Sequence, residues 1–162
     1  MNPDSPLCEA LRSQLCDPPP ARLLCIGDGA LRLANACGLT APSRALSPAQ
    51  AASALPSPEG DAPVELALLC GLTELQRAQA GPLIAALRDR GARQLMVLVD
   101  APAGHWAHDD MIAYGLTRRF REARDGRLRA LYEFAIATYK TTPDWLNANN
   151  WANPQLWDKY RW

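Results

Sequence analysis

Three short, predominantly apolar runs constrain the fold of this chain more than any other feature: Leu23–Ile26, Val64–Cys70 and Gln94–Val99. Each is too short for a buried helix and stops at a residue suited to a turn: Gly27, Gly71 and Asp100. A run of this length without clean polar alternation reads as a strand covered on both faces. Stretches with helical spacing separate the three, which implies right-handed crossovers and strands pointing the same way. The predicted class is α/β, a three-layer Rossmann-like arrangement with a mainly parallel sheet whose strand ends share one rim.

Punctuation residues locate the other elements. Ser5 and Pro6 read as N-cap and first helical residue, with Leu7, Leu11 and Leu15 at a spacing of four before Pro18-Pro19-Pro20 stops the helix. Gly27-Asp28-Gly29 opens a helix over Ala30–Cys37, closed by Gly38. Ala45-Leu46 suggests a scrap of strand, and Ser47-Pro48 caps an alanine-rich helix to Leu55. Thr73 is predicted to cap a helix carrying Leu75, Ile84 and Leu87, which Pro82 should kink or divide. Asp109 is predicted to cap a helix running to about Tyr114.

Two further runs, Leu116–Glu122 and Leu128–Tyr139, flank Asp125-Gly126, a strong hairpin signal. Leu128, Ala130, Tyr132, Phe134 and Ile136 share one face at period two, with Arg129 and Glu133 on the other. A single helix through this region would bury Gly126 in its interior at about 1 kcal/mol. An antiparallel hairpin closing one sheet edge is therefore expected.

Composition bounds the setting. With 162 residues, 48% hydrophobic and 21% charged, the chain is expected to be one domain. Its parts are an N-terminal helix and proline linker (1–20), a core (21–139) and an aromatic tail (140–162). Seventeen basic and seventeen acidic side chains cancel, leaving no global field for nucleic acid or an anionic membrane. No apolar stretch approaches the length of a membrane span, and no secretory leader pattern opens the chain. Cys8, Cys16, Cys25, Cys37 and Cys70 are odd in number, lack C-x-x-C spacing and sit in apolar runs. They read as buried free thiols in a reducing, cytoplasmic, bacterial-type setting, and no metal site is expected.

The order of elements, with Cys25-Ile26-Gly27-Asp28-Gly29-Ala30-Leu31 at the first turn, resembles the class I S-adenosylmethionine (SAM)-dependent methyltransferase fold over roughly residues 21–139. That family ends its first strand in an acid followed by G-x-G-x-G. Here Cys25 replaces the acid and Leu31 the third glycine. Residues 30–58 contain no Asp or Glu to hold a ribose, and the interval from Leu46 to Val64 leaves no room for one strand of the family sheet. The chain is thus identified as a degenerate, methyltransferase-like member. Its closing segment, from Trp145-Leu146-Asn147 to Trp162, is similar to the tail of small uncharacterised proteobacterial proteins.

The resemblance implies SAM as the cofactor, with contacts at Gly27, Asp28, Gly29, Cys70, Gly71 and Asp100. A glycine turn after a buried strand lets a ligand approach the backbone and the next helix's N–H groups. It equally serves any tight strand-to-helix turn. Asp28 suits a ligand hydroxyl or a helix cap, and Asp100 suits the rim or a turn with Ala101-Pro102. His105 and His108, with Asp109 and Asp110, form the one candidate acid–base cluster.

Two surfaces are candidates for partners. Six arginines in the Arg118–Arg129 hairpin (Arg118, Arg119, Arg121, Arg124, Arg127, Arg129) suit either phosphates or the protection of an edge strand, which is the commoner use. Trp145, Trp151, Trp157 and Trp162 concentrate large rings in the tail, for packing over the sheet or for a protein partner. Three functions follow: a non-catalytic methyltransferase-like protein acting by partner binding, an active SAM-dependent methyltransferase, or an RNA-associated protein.

Overall fold

The predicted strands lie side by side in the computed structural model, which describes residues 2–15, 17–39, 43–54, 63–102 and 105–136. The aromatic tail and Cys16 lie outside the described residues. β1 (Leu23–Ile26), β3 (Val64–Leu69) and β4 (Ala92–Pro102) are parallel, with Ile26 opposite Leu69 and Leu69 opposite Val97. The predicted scrap of strand is β2 (Ser43–Leu46), parallel to β1 on its outer side. β5 (Thr117–Arg124) and β6 (Arg127–Ala135) form the expected hairpin, and β6 joins β4 antiparallel. The sheet runs β2-β1-β3-β4-β6-β5. Between β2 and β3 the described residues hold one helix and no strand.

Helices cover both faces and explain why the central strands do not alternate. α1 (Pro6–Arg12) and α2 (Asp28–Ala36) pack on the side of Leu23, Cys25, Leu66, Leu68, Met96 and Leu98. α3 (Pro48–Ala54) and α4 (Arg77–Ala86) pack on Leu24, Ile26, Ala67, Leu69, Val97 and Val99. Every β1 residue is buried, so both parities must be apolar. Each leucine or isoleucine so covered contributes roughly 1.5–3 kcal/mol. Arg12 at the end of α1 donates to the carbonyls of Ala36 (3.0 Å) and Cys37, tying the C-terminus of one helix to the other.

Local chemistry accounts for the boundaries, including those that differ from expectation. Ser5 caps α1 as predicted, its hydroxyl accepting from the Cys8 N–H at 3.4 Å. Gly27, not Asp28, occupies the N-cap of α2, and Asp28 is the first helical residue. Thr73 caps nothing: Gly71, at φ 81°, starts a 3₁₀ turn over Leu72–Glu74, and α4 begins afresh after Gln76. There the Gln79 side chain accepts the Gln76 N–H at 3.3 Å. The helix is therefore divided before Pro82, which sits inside α4 on its exposed side, where the freed carbonyl can reach water.

The last helix, α5 (His108–Ala113), is held at its start by Asp110 rather than Asp109. Asp110 lies one turn in, so its carboxylate reaches back to accept the Ala107 N–H at 2.8 Å. Asp125 and Gly126 both take positive φ, 50° and 73°, as a two-residue hairpin turn of the primed type requires. The predicted face of β6 holds through Phe134, but the ladder ends at Ala135, leaving Ile136 61% exposed. Opposite that face Glu133 is buried and paired with Arg119 at 2.6 Å. No helix among the described residues is long and apolar enough to cross a membrane.

Candidate functional site at the sheet rim

The C-terminal ends of β1, β3 and β4 open on a crevice of about 600 Å³. Asp28, Gly29, Cys70, Gly71 and Asp100 all line it, so the three turns meet at one rim. Gly27 is not among the lining residues. Arg32, Glu74, Arg127 and Arg129 also line it; of these the sequence singles out only the two hairpin arginines, for phosphates or edge protection rather than for this rim. Arg32 was findable, since it lies one helical turn beyond Asp28 and shares its face. Arg127 and Arg129 were visible only as hairpin charge, because their place depends on the β4–β6 register, which sets Arg129 opposite Asp100.

The glycines are positioned by close packing. A Cβ on Gly27 would stand 2.6 Å from the Cys70 carbonyl oxygen, at a residue whose φ is 84°. A Cβ on Gly29 would meet Cys70 Cβ at 3.1 Å and Sγ at 3.2 Å. On Gly71 it would stand 2.6 Å from a Glu74 carboxylate oxygen and 2.9 Å from Pro48. The strand-to-helix turn of β1 and the end of β3 thus press against one another, and at Gly27 the backbone contact together with the positive φ requires glycine.

Part of the polar lining is engaged within the protein, while no hydrogen bond or ion pair holds the side chains of Asp28, Arg32 and Glu74 among the described residues. Asp100 receives Arg127 at 2.9 Å and Arg129 at 3.3 Å. Burial pushes its carboxyl up, but the two guanidiniums outweigh burial and hold it below the usual carboxylate range. Cys70 is pushed up to about 12, by burial first and then by the charge of Asp100, so it stays a thiol and is a poor nucleophile. Cys25, whose place the resemblance gives to an acid, is raised by burial to about 11. At the end of β2, Ser47 and Gln50 cap α3 reciprocally, at 3.2 and 2.9 Å. Ser47 thus stands at the strand end where the resemblance places an acid.

His105 and His108 are not brought to this rim. His108 stacks on Tyr132, with ring centres 5.8 Å apart and Nδ1 3.4 Å from the phenol oxygen. Tyr132 belongs to the core on the α4 side of the sheet. His105 is exposed, and its carbonyl accepts from Arg77 at 2.8 Å. Asp110 is clamped by both terminal nitrogens of Arg77 at 3.0 Å, so it is committed to that cation rather than to a histidine. Among the described residues no three His, Cys, Asp or Glu side chains are grouped as a metal would need.

The sequence profile of a family of unknown function, DUF6231, matches residues 5–162. The chain belongs to DUF6231. No curated protein matches this DUF6231 chain by sequence. Among solved structures, yhhF of Escherichia coli, assigned as a methyltransferase, superposes with a TM-score of 0.50 at 16% identity, covering 80% of this chain and 82% of the other. The magnesium protoporphyrin IX methyltransferase of Synechocystis PCC 6803, solved with bound SAM, gives 0.50 at 14% identity, covering 82% and 77%. At such identities the likeness shows a fold: this DUF6231 member has a methyltransferase-like α/β architecture.

Proposed function

We propose that this DUF6231 protein is a non-catalytic, methyltransferase-like protein that acts by binding a protein partner, without SAM as a working cofactor. One observation carries the reading: the rim groups that would address the cofactor serve the fold. Gly27 and Gly29 accommodate Cys70, Asp100 holds two arginines, and Ser47 caps α3 where the resembled family places an acid. The partner surface is the aromatic tail, in whose sequence Trp157, Tyr160 and Trp162 are interspersed with Lys159 and Arg161.

Titration of the full chain with SAM and with its demethylated product tests this. A ligand held at a hundredfold its Kd adds about 2.7 kcal/mol, equivalent to roughly 5–10 °C for a chain of this size. No change in Tm at millimolar ligand is expected, and a saturable rise would overturn the proposal. The crevice lined by Asp28, Gly29, Cys70 and Asp100 favours an active methyltransferase as the second reading, and the same titration decides between them. For the partner, proteins recovered from extract by the native chain should be lost with the Trp157→Ala, Trp162→Ala variant. Identical recovery would remove the tail from the reading. The hairpin arginines favour edge protection over RNA, since Arg119, Arg127 and Arg129 pair with Glu133 and Asp100 of the same sheet.

A further inference from the structure

The fold accounts for only some of the hairpin arginines. Arg119 pairs with Glu133, and Arg127 and Arg129 pair with Asp100. Arg118 and Arg121 are exposed, and neither stands within ion-pair distance of a carboxylate among the described residues. Three positions apart on a regular strand, they would point to opposite faces. The register prevents this: Arg118 stands opposite Tyr132 and Arg121 opposite Ala130, so three steps along β5 match two along β6. The irregularity between Arg118 and Phe120 takes up the extra residue and turns both arginines to the Tyr132 face. Positions two apart on β6 are separated by roughly 7 Å, which makes the two cations neighbours on that face. Repulsion disfavours such a pair unless an anion joins them. Protection of an edge needs charge along the strand, not two like charges on one face.

A third donor belongs to the same cluster. Tyr132 is buried, and the His108 ring stacks on it with Nδ1 3.4 Å from the phenol oxygen. Burial raises the phenol pKa, while the charge of Arg118, its hydrogen bond to the phenol and the charge of Arg121 oppose the rise. A guanidinium only donates, so the phenol oxygen accepts from Arg118 and directs its own hydrogen to His108 Nδ1. The neutral imidazole then carries its hydrogen on Nε2, as a further donor. Of the two carboxylates that follow His108, Asp110 is neutralised by Arg77, and Asp109 lies beyond ion-pair distance of both arginines.

We propose that Arg118, Arg121 and His108, positioned through Tyr132, form a binding site for the dianionic phosphate of a phosphomonoester. Two guanidiniums match its charge of about −2 at neutral pH, and their forked N–H groups suit its oxygens in pairs. A phosphodiester carries a single charge and fewer free oxygens, which separates this site from a surface for nucleic-acid backbone. The inference stands whether or not SAM binds at the rim. Asp100, Arg127 and Arg129 line that crevice, whereas Arg118, Arg121 and His108 do not.

Phenyl phosphate titrated into the full chain at constant ionic strength tests it, read from the arginine Nε–H signals in NMR. The Arg118 and Arg121 signals should shift saturably at millimolar ligand, and dimethyl phosphate should bind more weakly. Arg118→Gln and Arg121→Gln should each weaken binding about fivefold or more. Both side chains are exposed, so far-UV circular dichroism should not change. Tyr132→Phe should also weaken binding, and the nitrogen shifts of His108 should lose their preference for Nε2–H. Absence of a saturable shift in the native protein would overturn the proposal. So would unchanged affinity in the Arg118→Gln, Arg121→Gln double variant, equal binding of the diester, or a His108 ring indifferent to Tyr132→Phe.

Discussion

Replacing Gly27 by alanine asks whether the fold alone demands that glycine. Gly27 sits at φ 84° and ψ 152°, a region nearly reserved for glycine that costs other residues about 1–3 kcal/mol. The new Cβ would also stand 2.6 Å from the Cys70 carbonyl oxygen and 3.1 Å from its carbon. Both are backbone atoms of a residue whose N–H donates to the Ile26 carbonyl at 2.8 Å, so neither can rotate aside. Relief requires the end of β3 to shift, and forced expansion of this kind costs roughly 1–3 kcal/mol. The total is about 2–6 kcal/mol, a large part of the 5–15 kcal/mol typical of a domain.

Gly38 supplies the control: its φ is 75°, and a Cβ there meets nothing within 4 Å. Gly38→Ala should cost only about 1–2 kcal/mol, the handedness penalty. Urea unfolding of the three proteins, followed by circular dichroism at constant slope, measures both losses. Gly27→Ala should lose clearly more than Gly38→Ala. Equal losses would mean that backbone conformation is the entire cost and that contact with Cys70 adds nothing, refuting the structural assignment of the turn.

Gly29→Ala gains up to about 1 kcal/mol in helix propensity but crowds the Cys70 side chain. It should therefore destabilise, with Cys70→Ala recovering at least about 0.5 kcal/mol beyond additivity. A stabilised Gly29→Ala protein would instead return that glycine to a ligand role. Arg119→Met leaves the buried Glu133 with Gln94 as its remaining side-chain partner among the described residues. It should cost about 3 kcal/mol, most of it restored by adding Glu133→Leu. A loss near 0.5 kcal/mol, the scale of a surface pair, would show that the burial is inconsequential.

The Arg77 hydrogen bond, then the Ala107 N–H, holds the Asp110 carboxyl below its usual range. Its contribution is thus complete above the unfolded pKa of about 3.9, and it disappears as pH falls through the lower folded value. Asp110→Asn keeps an acceptor and removes the charge. A native advantage of about 1 kcal/mol at neutral pH should therefore close in acid. A gap independent of pH, read from melting curves, would exclude the charge as its source.

Elements whose signal is local were legible in the sequence. Leu23–Ile26 could be placed because burial on both faces admits apolar side chains of either parity, and Asp125-Gly126 because a primed turn needs two positive φ values. Features set by partners distant in sequence were not legible. Thr73 is a better intrinsic cap than Gln76, yet Gly71 and the 3₁₀ turn after it delay the helix. Asp109 is as good a cap as Asp110, and the start of α5 at His108 together with Arg77 on α4 selects between them. The rim itself was foreseeable from where the strands end. Its charge was not, since Arg127 and Arg129 reach Asp100 through a register no local pattern encodes.

β4 pairs in parallel with β3 on one side and antiparallel with β6 over Gln94–Pro102 on the other. The β5–β6 hairpin can zip from the Asp125-Gly126 turn, and β4 then adds to β6 across α5 and β5, whereas β1 and β3 must wait for their helical crossovers. Folding is accordingly expected to start with the β5–β6 hairpin and the β4 strand that pairs with β6, onto which the Rossmann-like half condenses. Destabilising changes in Val97 or Leu131 should then slow refolding, while those in Leu24 should mainly hasten unfolding.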